Sequence, residues 1–284
     1  MRWQGMRKSD NVEDRRGVGG RQLAVGGGLG GLVIAILFML LGGNPDEVLQ
    51  NIQPGPAESS AASGQPLSEK DRMMGDFVSV TLASIEDVWT GIFKQTGREY
   101  RPPKLVLFSG QTSSACGFAS AASGPFYCPG DDRVYLDLDF FEEMQRRLGA
   151  SGDFALAYVI AHEVGHHVQN LLGVSDQVMA QQRRLSEVEF NKLMVRMELQ
   201  ADFLAGVWAH YAQQAKGFIE EGDIEEGMNA ASSVGDDRIQ RQSQGYVVPD
   251  AFTHGTSEQR VRWFTRGFKT GDINQGDTFN ARVL

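Results

Sequence analysis

Three regions differ in the way apolar and polar residues follow each other along the chain. The run Leu23–Leu41 contains no charged residue and comes shortly after Arg21. About 20 apolar residues, at roughly 1.5 Å per residue, cross a bilayer, so this run predicts a transmembrane anchor over residues 22–43. A cleaved signal peptide is the alternative. Its apolar core is usually shorter and ends in a small-residue cleavage site, of which Met39–Gly43 is only a weak example.

The pattern changes twice after the apolar run. Residues 44–66 are rich in Pro, Ser, Ala and Gly and have no apolar period, which predicts a flexible linker. Residues 67–284 contain sustained periodic segments and are predicted to form one domain. Its first helix begins after Ser68, a residue type that caps helices, and runs to about Gln95 with apolar residues at helical spacing.

The rest of the domain combines two strand-like segments with several helices. Leu105–Phe108 is a short apolar run, and Arg133–Leu138 alternates as strands do. Helices are predicted from near Ser151 or Asp153 to Gly173, from Val188 to Lys216, over the polar stretch 218–243, and from a capping box at Thr256 and Gln259 to Gly271. This order predicts the α+β class, as a mostly helical domain with a small sheet that is preceded by one transmembrane helix.

The charge and the cysteine content of the chain exclude some classes of partner and of metal site. The chain has a formal net charge of -9, and residues 1–43 hold six basic and three acidic side chains, so the acidic excess lies in the domain. An acidic domain repels phosphate backbones, and nucleic acid is therefore not an expected partner. Two cysteines, Cys116 and Cys128, are too few for a four-cysteine zinc site and leave either a disulfide or two free thiols.

Basic residues precede the apolar run, which sets the expected orientation in a membrane. Residues 1–21 are predicted to stay cytoplasmic, and the domain is predicted to be exported to the periplasmic or extracellular side of a single-pass membrane protein. Export favours a disulfide between the two cysteines. Gly26 and Gly30 have the G-x-x-x-G spacing that allows close helix contact in a membrane, which leaves a homodimer through the anchor open.

The strongest chemical signal is H-E-x-x-H at residues 162–166, within a predicted helix. Residues i and i+4 share one helix face, so His162 and His166 can bind one metal ion. Glu163 lies beside the first ligand, where its carboxylate reaches a water on the metal. The alternative, a chance occurrence, is expected on the order of once per hundred proteins. The motif therefore indicates a zinc hydrolase.

A third ligand decides the kind of zinc site. The longer H-E-x-x-H-x-x-G-x-x-H motif is excluded, because its last two fixed positions hold Gln169 and Leu172. A carboxylate from a later helix is the other common solution, and Glu198 with Asp202 forms E-x-x-x-D on one face of the next long helix. We expect Glu198 to bind the metal and Asp202 to accept the spare N–H of a ligating histidine. A solvated helix face is the alternative for this pair.

These segments resemble a known family. His162–His167, Glu198–Asp202 and the run Gly124–Pro129 are similar to the bacterial neutral zinc metallopeptidase family (YpfJ-like), as are the basic N-terminus and the early apolar run. The resemblance covers nearly the whole chain and implies a zincin-like fold and peptidase activity without a defined substrate. The run Arg196–Ala205 is more distantly similar to membrane-bound proteases of the CAAX prenyl protease and heat-shock HtpX kind.

The remaining histidines differ in what they predict. His254 precedes a helix that carries Arg260, and the distant resemblance places a similar pair after the zinc ligand. Such a side chain can stabilise the oxyanion of peptide hydrolysis, although His254 could also be a loop histidine beside a helix cap. His167 points about 100° away from the preceding ligand and is expected to be structural. His210 lies about 120° round its helix from Glu198 and is not expected to bind the metal.

The sequence predicts a zinc-dependent endopeptidase that cleaves a protein or peptide substrate. In this prediction Zn²⁺ is held by His162, His166 and Glu198, and Glu163 is the general base toward a metal-activated water. The alternative is a catalytically silent, zinc-stabilised binding module presented from the membrane, which would have no use for Glu163. An intramembrane protease is excluded, because the apolar segment before the motif is too short to span a bilayer.

Overall fold

The computed structural model describes residues 1–16, 67–120, 124–140, 145–146, 149, 152–215 and 217–284. Within these ranges the first long helix is α1 (Glu69–Gln95). Ser68 accepts a hydrogen bond from the backbone N–H of Asp71, whose carboxylate accepts one from the backbone N–H of Ser68. This reciprocal capping box fixes the start of the helix. The predicted helix and its cap are confirmed.

A mixed four-stranded sheet lies beside the helices. Its strands are β1 (Val12–Asp14), β2 (Lys104–Phe108), β5 (Phe126–Cys128) and β6 (Arg133–Asp137), in the order β1-β2-β6-β5. Strands β1, β2 and β6 run parallel, and β5 is antiparallel to β6. The segments predicted as β2 and β6 are confirmed and form the interior of the sheet. Strand β1 was not predicted, because its three residues contain no apolar run.

A hairpin of β3 (Gln111–Ser114) and β4 (Gly117–Ser120) follows β2. Its turn carries Cys116, which forms a disulfide with Cys128 at the end of β5. Cys128 is buried, and the Cα atoms of the two cysteines lie 5.8 Å apart. The disulfide therefore ties the hairpin to the outer strand of the larger sheet.

The remaining helices follow the last strand. They are α2 (Asp153–Leu171), α3 (Val174–Met179), α4 (Glu187–Gln214), α5 (Asp223–Ser233), α6 (Asp236–Gln244) and α7 (Ser257–Thr270). The capping box predicted for α7 at Thr256 and Gln259 is present. The predicted cap Asp153 is instead the first residue of α2, because Gly152 is the N-cap and the carboxylate of Glu226 accepts the N–H of Phe154. The alternative cap, Ser151, lies outside the described residues.

Helices α4 and α7 cross closely in the centre of the domain. A Cβ atom added to Gly206 would lie 2.1 Å from the carbonyl oxygen of Phe264, and one added to Gly267 would lie 2.0 Å from that of Phe203. The missing side chains let the two backbones touch. The main core, which includes Trp89, Phe154 and Trp208, extends from this crossing to α1, α2 and the sheet.

The predicted membrane arrangement needs correction. Segment 22–43, with Gly26 and Gly30, and the predicted linker 44–66 lie outside the described residues. No helix in the described ranges is long and apolar enough to cross a membrane. Strand β1 also pairs with β2 of the domain, so residues 12–14 and the domain cannot lie on opposite sides of a bilayer. The predicted transmembrane helix before the domain and the single-pass localisation with a cytoplasmic N-terminus are therefore wrong.

The membrane prediction was wrong because it rested on the length and hydropathy of residues 22–43. These two properties describe one segment by itself. They do not show that residues before the segment pair with residues about 90 positions later, as Val12 does with Leu105. The fold class that remains is a helix-rich α+β protein with two small sheets.

Candidate metal centre

The two histidines of the H-E-x-x-H motif lie one turn apart on α2. Gly165 stands between them and faces α4, where an added Cβ would lie 3.1 Å from the carbonyl oxygen of Ala201. The absent side chain lets α4 approach, which brings Glu198 over the motif. The side chains of His162, His166 and Glu198 are largely withdrawn from solvent.

The predicted ligand atoms converge. One nitrogen or oxygen atom each from His162, His166 and Glu198 lies within 4.8 Å of the others. The Nε2 atom of His162 lies 3.1 Å from Oε2 of Glu198, and that of His166 lies 3.5 Å from Oε1. Ligand atoms held about 2 Å from one tetrahedral zinc ion are separated by roughly 3.3 Å. The donor set and its spacing therefore fit zinc.

Asp202 fixes the orientation of His162. Its Oδ1 atom lies 2.8 Å from Nδ1 of His162 and accepts a 2.5 Å hydrogen bond from the hydroxyl of Tyr158. Arg260 donates to both carboxylate oxygens of Asp202, over 2.8 and 3.0 Å. Asp202 is fully buried and Arg260 is 4% exposed. The Nδ1–H of His162 can therefore point at Asp202 while Nε2 faces the ligand cluster.

His166 has a different partner on its outer side. Its Nδ1 atom lies 2.9 Å from Oε1 of Gln169, one turn along α2. Gln169 is fully buried and donates to the carbonyl oxygen of Met197 and to Oε1 of Gln200. Both histidines of the motif thus have their Nδ1 atoms bonded and their Nε2 atoms directed at Glu198.

Burial and pairing shift the pKa values of the side chains in the cluster. Burial lowers the pKa of His162, but the charge of Asp202 and hydrogen bonds to Asp202 and Glu198 raise it to about 10. Burial likewise lowers the pKa of His166, and Glu198 more than compensates. Burial raises the pKa of Glu198, yet the charges of His166 and His254 bring it well below its usual range. These opposite shifts show that the carboxylate and the imidazoles lie close enough to stabilise each other's charged forms.

Glu163 lies between the two histidines on α2 and is 9% exposed. Among the described residues its carboxylate has no hydrogen-bonded partner, and its charge contributes to the raised pKa of His166. The side chain is therefore close to the ligand cluster and has its oxygens free. That is the arrangement a general base needs.

His254 approaches the cluster from the loop before α7. Burial lowers its pKa, but the charges of Glu198 and Asp236 raise it overall. Its Nδ1 atom lies 3.3 Å from Oδ1 of Asp236 and 3.0 Å from Oγ1 of Thr253. Asp236 is fully buried and accepts the backbone N–H groups of Thr253, His254 and Gly255 over 2.7–2.9 Å. This carboxylate holds the loop in place.

The other two histidines have structural contacts. His167 is buried between the hydroxyl of Tyr127, 3.0 Å from Nδ1, and the carbonyl oxygen of Arg101, which accepts from Nε2 over 2.6 Å. His210 donates from Nδ1 to the carbonyl oxygen of Phe268. Neither belongs to the metal-ligand cluster found in the described residues.

Several residues around the site were missed from the sequence. Tyr158 and Gln169 lie four residues before His162 and three after His166, so helical spacing could have identified both. In the sequence, Gln169 stands out only as a departure from the longer zinc motif. The sequence places Arg260 near His254 as a candidate donor to the oxyanion, but the structure directs it to Asp202. Asp236 comes from a distant helix, and nothing in its local sequence marks it.

The fold and the site together define a class, an α+β protein with a buried candidate His₂Glu metal centre and the carboxylate of Glu163 beside it. The chain belongs to the family described as "Putative neutral zinc metallopeptidase", whose model matches residues 1–279. It is 49% identical to the uncharacterized protein YpfJ of Escherichia coli (strain K12), over 100% of both chains. It is 44% identical to the uncharacterized proteins Mb2605 of Mycobacterium bovis and Rv2575 of Mycobacterium tuberculosis, over 87% of this chain and 86% of each relative. No solved structure matches. The family resemblance inferred from the motifs is confirmed.

Proposed function

We propose that this chain is a zinc-dependent endopeptidase in which Glu163 is the general base. The observation that carries the proposal is the convergence of His162, His166 and Glu198 beside Glu163, whose carboxylate has no hydrogen-bonded partner among the described residues. A structural zinc site usually has four protein ligands and no free acid next to it. Three ligands with an adjacent base are typical of a hydrolytic site.

Zinc suits two imidazoles and one carboxylate. When bound, it would supply Lewis-acid chemistry, polarising a peptide carbonyl and increasing the acidity of a water. The protein's part is to present the two Nε2 atoms and the Glu198 carboxylate together, with Asp202 and Gln169 holding the rings from behind. Membership of a zinc metallopeptidase family supports this choice of metal.

Glu163 moves the proton. Its carboxylate accepts a proton from the attacking water and then passes it to the leaving amine nitrogen, so that one side chain acts first as base and then as acid. A low exposure and the absence of a hydrogen-bonded partner in the described part of the chain keep it available for both transfers.

His254 donates a hydrogen bond to the oxyanion that forms when the water adds to the carbonyl. Its Nδ1 atom faces Asp236 and Thr253, which leaves Nε2 for the substrate. The proximity of His254 to Glu198 is visible in the effect of each charge on the other's pKa. A positioned donor of this type contributes about 10²–10³ in turnover.

Metal content and chelator sensitivity test the proposal. The purified full-length chain should bind about one zinc ion and cleave a denatured protein or peptide library, and a chelator should stop cleavage. His162→Ala and Glu198→Ala should lose both properties, whereas Glu225→Ala, at an exposed position on α5, should keep both. Full zinc occupancy in Glu198→Ala would exclude Glu198 as the third ligand. A zinc-loaded, folded parent that cleaves nothing would instead favour a binding module.

A further inference from the structure

The two ligating histidines are held by chemically different partners. His162 faces the carboxylate of Asp202, while His166 faces the neutral amide of Gln169. A carboxylate accepts a hydrogen bond from either of its oxygens. An amide accepts at one end and donates at the other, so it determines the donor only if its own orientation is determined.

The surroundings determine the orientation of Gln169. Its Nε2 group donates over 2.7 Å to the carbonyl oxygen of Met197 and over 3.0 Å to Oε1 of Gln200. These two acceptors use both amide hydrogens. Turning the amide round would place its oxygen against two other oxygens in a fully buried position. Oε1 of Gln169 must therefore face His166, and Nδ1 of His166 must be the donor.

The orientation of Gln200 is determined in turn by the C-terminal segment. Its Nε2 group donates over 2.9 Å to the carbonyl oxygen of Gly276. Gly276 can come this close because it has no side chain, since a Cβ there would lie 2.5 Å from the ring of Phe203. The same segment is fixed to α4 by Thr278, whose hydroxyl donates over 2.6 Å to the carbonyl oxygen of Arg196. Arg196 and Gln200 lie on either side of Glu198 in the sequence of α4.

We propose that Gln169 and Gln200 form a directional hydrogen-bond relay that runs from the C-terminal segment to the second metal ligand. Gln169 is the positioning residue for His166, as Asp202 is for His162, and the carbonyl oxygen of Gly276 sets the polarity of the relay. Each link forces the next, and the result is a His166 ring that is protonated at Nδ1 and presents Nε2 to the metal. The inference rests on the proposed function only in so far as the site binds zinc.

The test compares Gln169→Leu with Gln200→Leu in the full-length, zinc-loaded chain. Two quantities are measured: zinc affinity by competition with a chromophoric chelator, and the Nδ1–H signals of ¹⁵N-labelled histidines by NMR. Gln169→Leu should lose the protected His166 signal and about 10–100-fold in zinc affinity. Gln200→Leu should keep the signal at a shifted position and lose less than about 10-fold. The His162 signal should stay unchanged in both variants.

Gln240→Leu is the matched control for a purely structural effect. Gln240 is also buried, and its Oε1 accepts the backbone N–H of Val248 over 2.7 Å. This variant should be destabilised but should keep the zinc affinity and both histidine signals of the parent. An equal loss of zinc affinity in Gln240→Leu, or an unchanged His166 signal in Gln169→Leu, would overturn the relay.

Three other outcomes are also decisive. If Gln169→Leu does not fold, Gln200→Leu decides, because its position is only half-buried, and an unchanged His166 signal and zinc affinity there would overturn the relay. If the parent binds no zinc, the proposed function fails and this inference fails with it. If zinc binds equally well with and without the Gln169 amide, only the relay is wrong.

Discussion

The ion pair behind His162 allows a sharp test of how the metal centre is held. We consider Asp202→Asn, which keeps the shape of the side chain and removes its charge. Asp202 is 0% exposed, and its only cationic partner among the described residues besides His162 is Arg260, at 4% exposure. The substitution would leave a buried guanidinium without its counter-charge.

Two independent arguments give the stability that Asp202→Asn should lose. Removing one partner of a buried ion pair costs about 3–5 kcal/mol. Burial raises the pKa of Asp202, but Arg260 and His162 bring it to about 2, against an ordinary 3.8, which corresponds to roughly 2 kcal/mol in favour of the ionised form. In the variant, Arg260 can still donate to the carbonyl oxygen of Val234, which limits the loss. We therefore expect the lower end of the range, a loss of about 3 kcal/mol in the free energy of unfolding.

The assay is denaturant unfolding of the metal-free chain, followed by circular dichroism, together with zinc competition. Glu258→Gln is the control, because it breaks an exposed pair with Arg262 on α7 and should cost less than about 1 kcal/mol. The double variant Asp202→Asn/Arg260→Met should recover part of the stability, since no unpaired charge remains. It should not recover the zinc affinity, which we expect to fall about 10–100-fold in both variants. A cost for Asp202→Asn no larger than that for Glu258→Gln would refute this reasoning.

Further predictions concern the disulfide, the proton balance and the helix crossing. Reducing the bond between Cys116 and Cys128, which are 12 residues apart, should lower the free energy of unfolding by roughly 2–3 kcal/mol. An unchanged free energy of unfolding after reduction, or thiols that alkylate without reductant, would contradict this prediction. Burial lowers the pKa of His162, but Asp202 and Glu198 raise it to about 10 in the metal-free chain. Zinc must therefore displace a proton, and its affinity should rise with pH up to about 10. Calorimetry in buffers of different ionisation heat would show this proton release. A binding heat that is independent of the buffer would contradict it. Gly206→Ala should lower the free energy of unfolding by about 1–3 kcal/mol, because the added Cβ meets the backbone of α7. Gly91→Ala, whose Cβ would have nothing within 4 Å, should raise it by about 0.5–1 kcal/mol. Equal thermal stabilities of the two variants would argue against the close crossing of α4 and α7.

Local patterns predicted the parts of the site that lie within one helix. The spacing of His162 and His166 places them on one face of α2, and the E-x-x-x-D spacing places Glu198 and Asp202 on one face of α4, because helical geometry depends only on sequence separation. Capping boxes likewise marked the starts of α1 and α7. These signals require no knowledge of the tertiary structure.

Contacts between distant segments could not be predicted in this way. Arg260 reaches Asp202 only because α4 and α7 cross at glycines, and Asp236 reaches His254 across a loop. The pairing of β1 with β2 depends on two segments separated by about 90 residues. Hydropathy of a single segment has no access to such pairings, and for that reason it gave the wrong membrane arrangement.

If Glu163 transfers the proton in peptide hydrolysis at this site, turnover must depend on its carboxylate, and the turnover of Glu163→Gln at full zinc occupancy measures that dependence. The substitution keeps the volume of the side chain and leaves His162, His166 and Glu198 in place. The variant should fold, bind zinc as the parent does, and lose at least about 10²-fold in turnover, the low end of what a positioned general base contributes. Cleavage by zinc-loaded Glu163→Gln at the rate of the parent would exclude Glu163 as the general base.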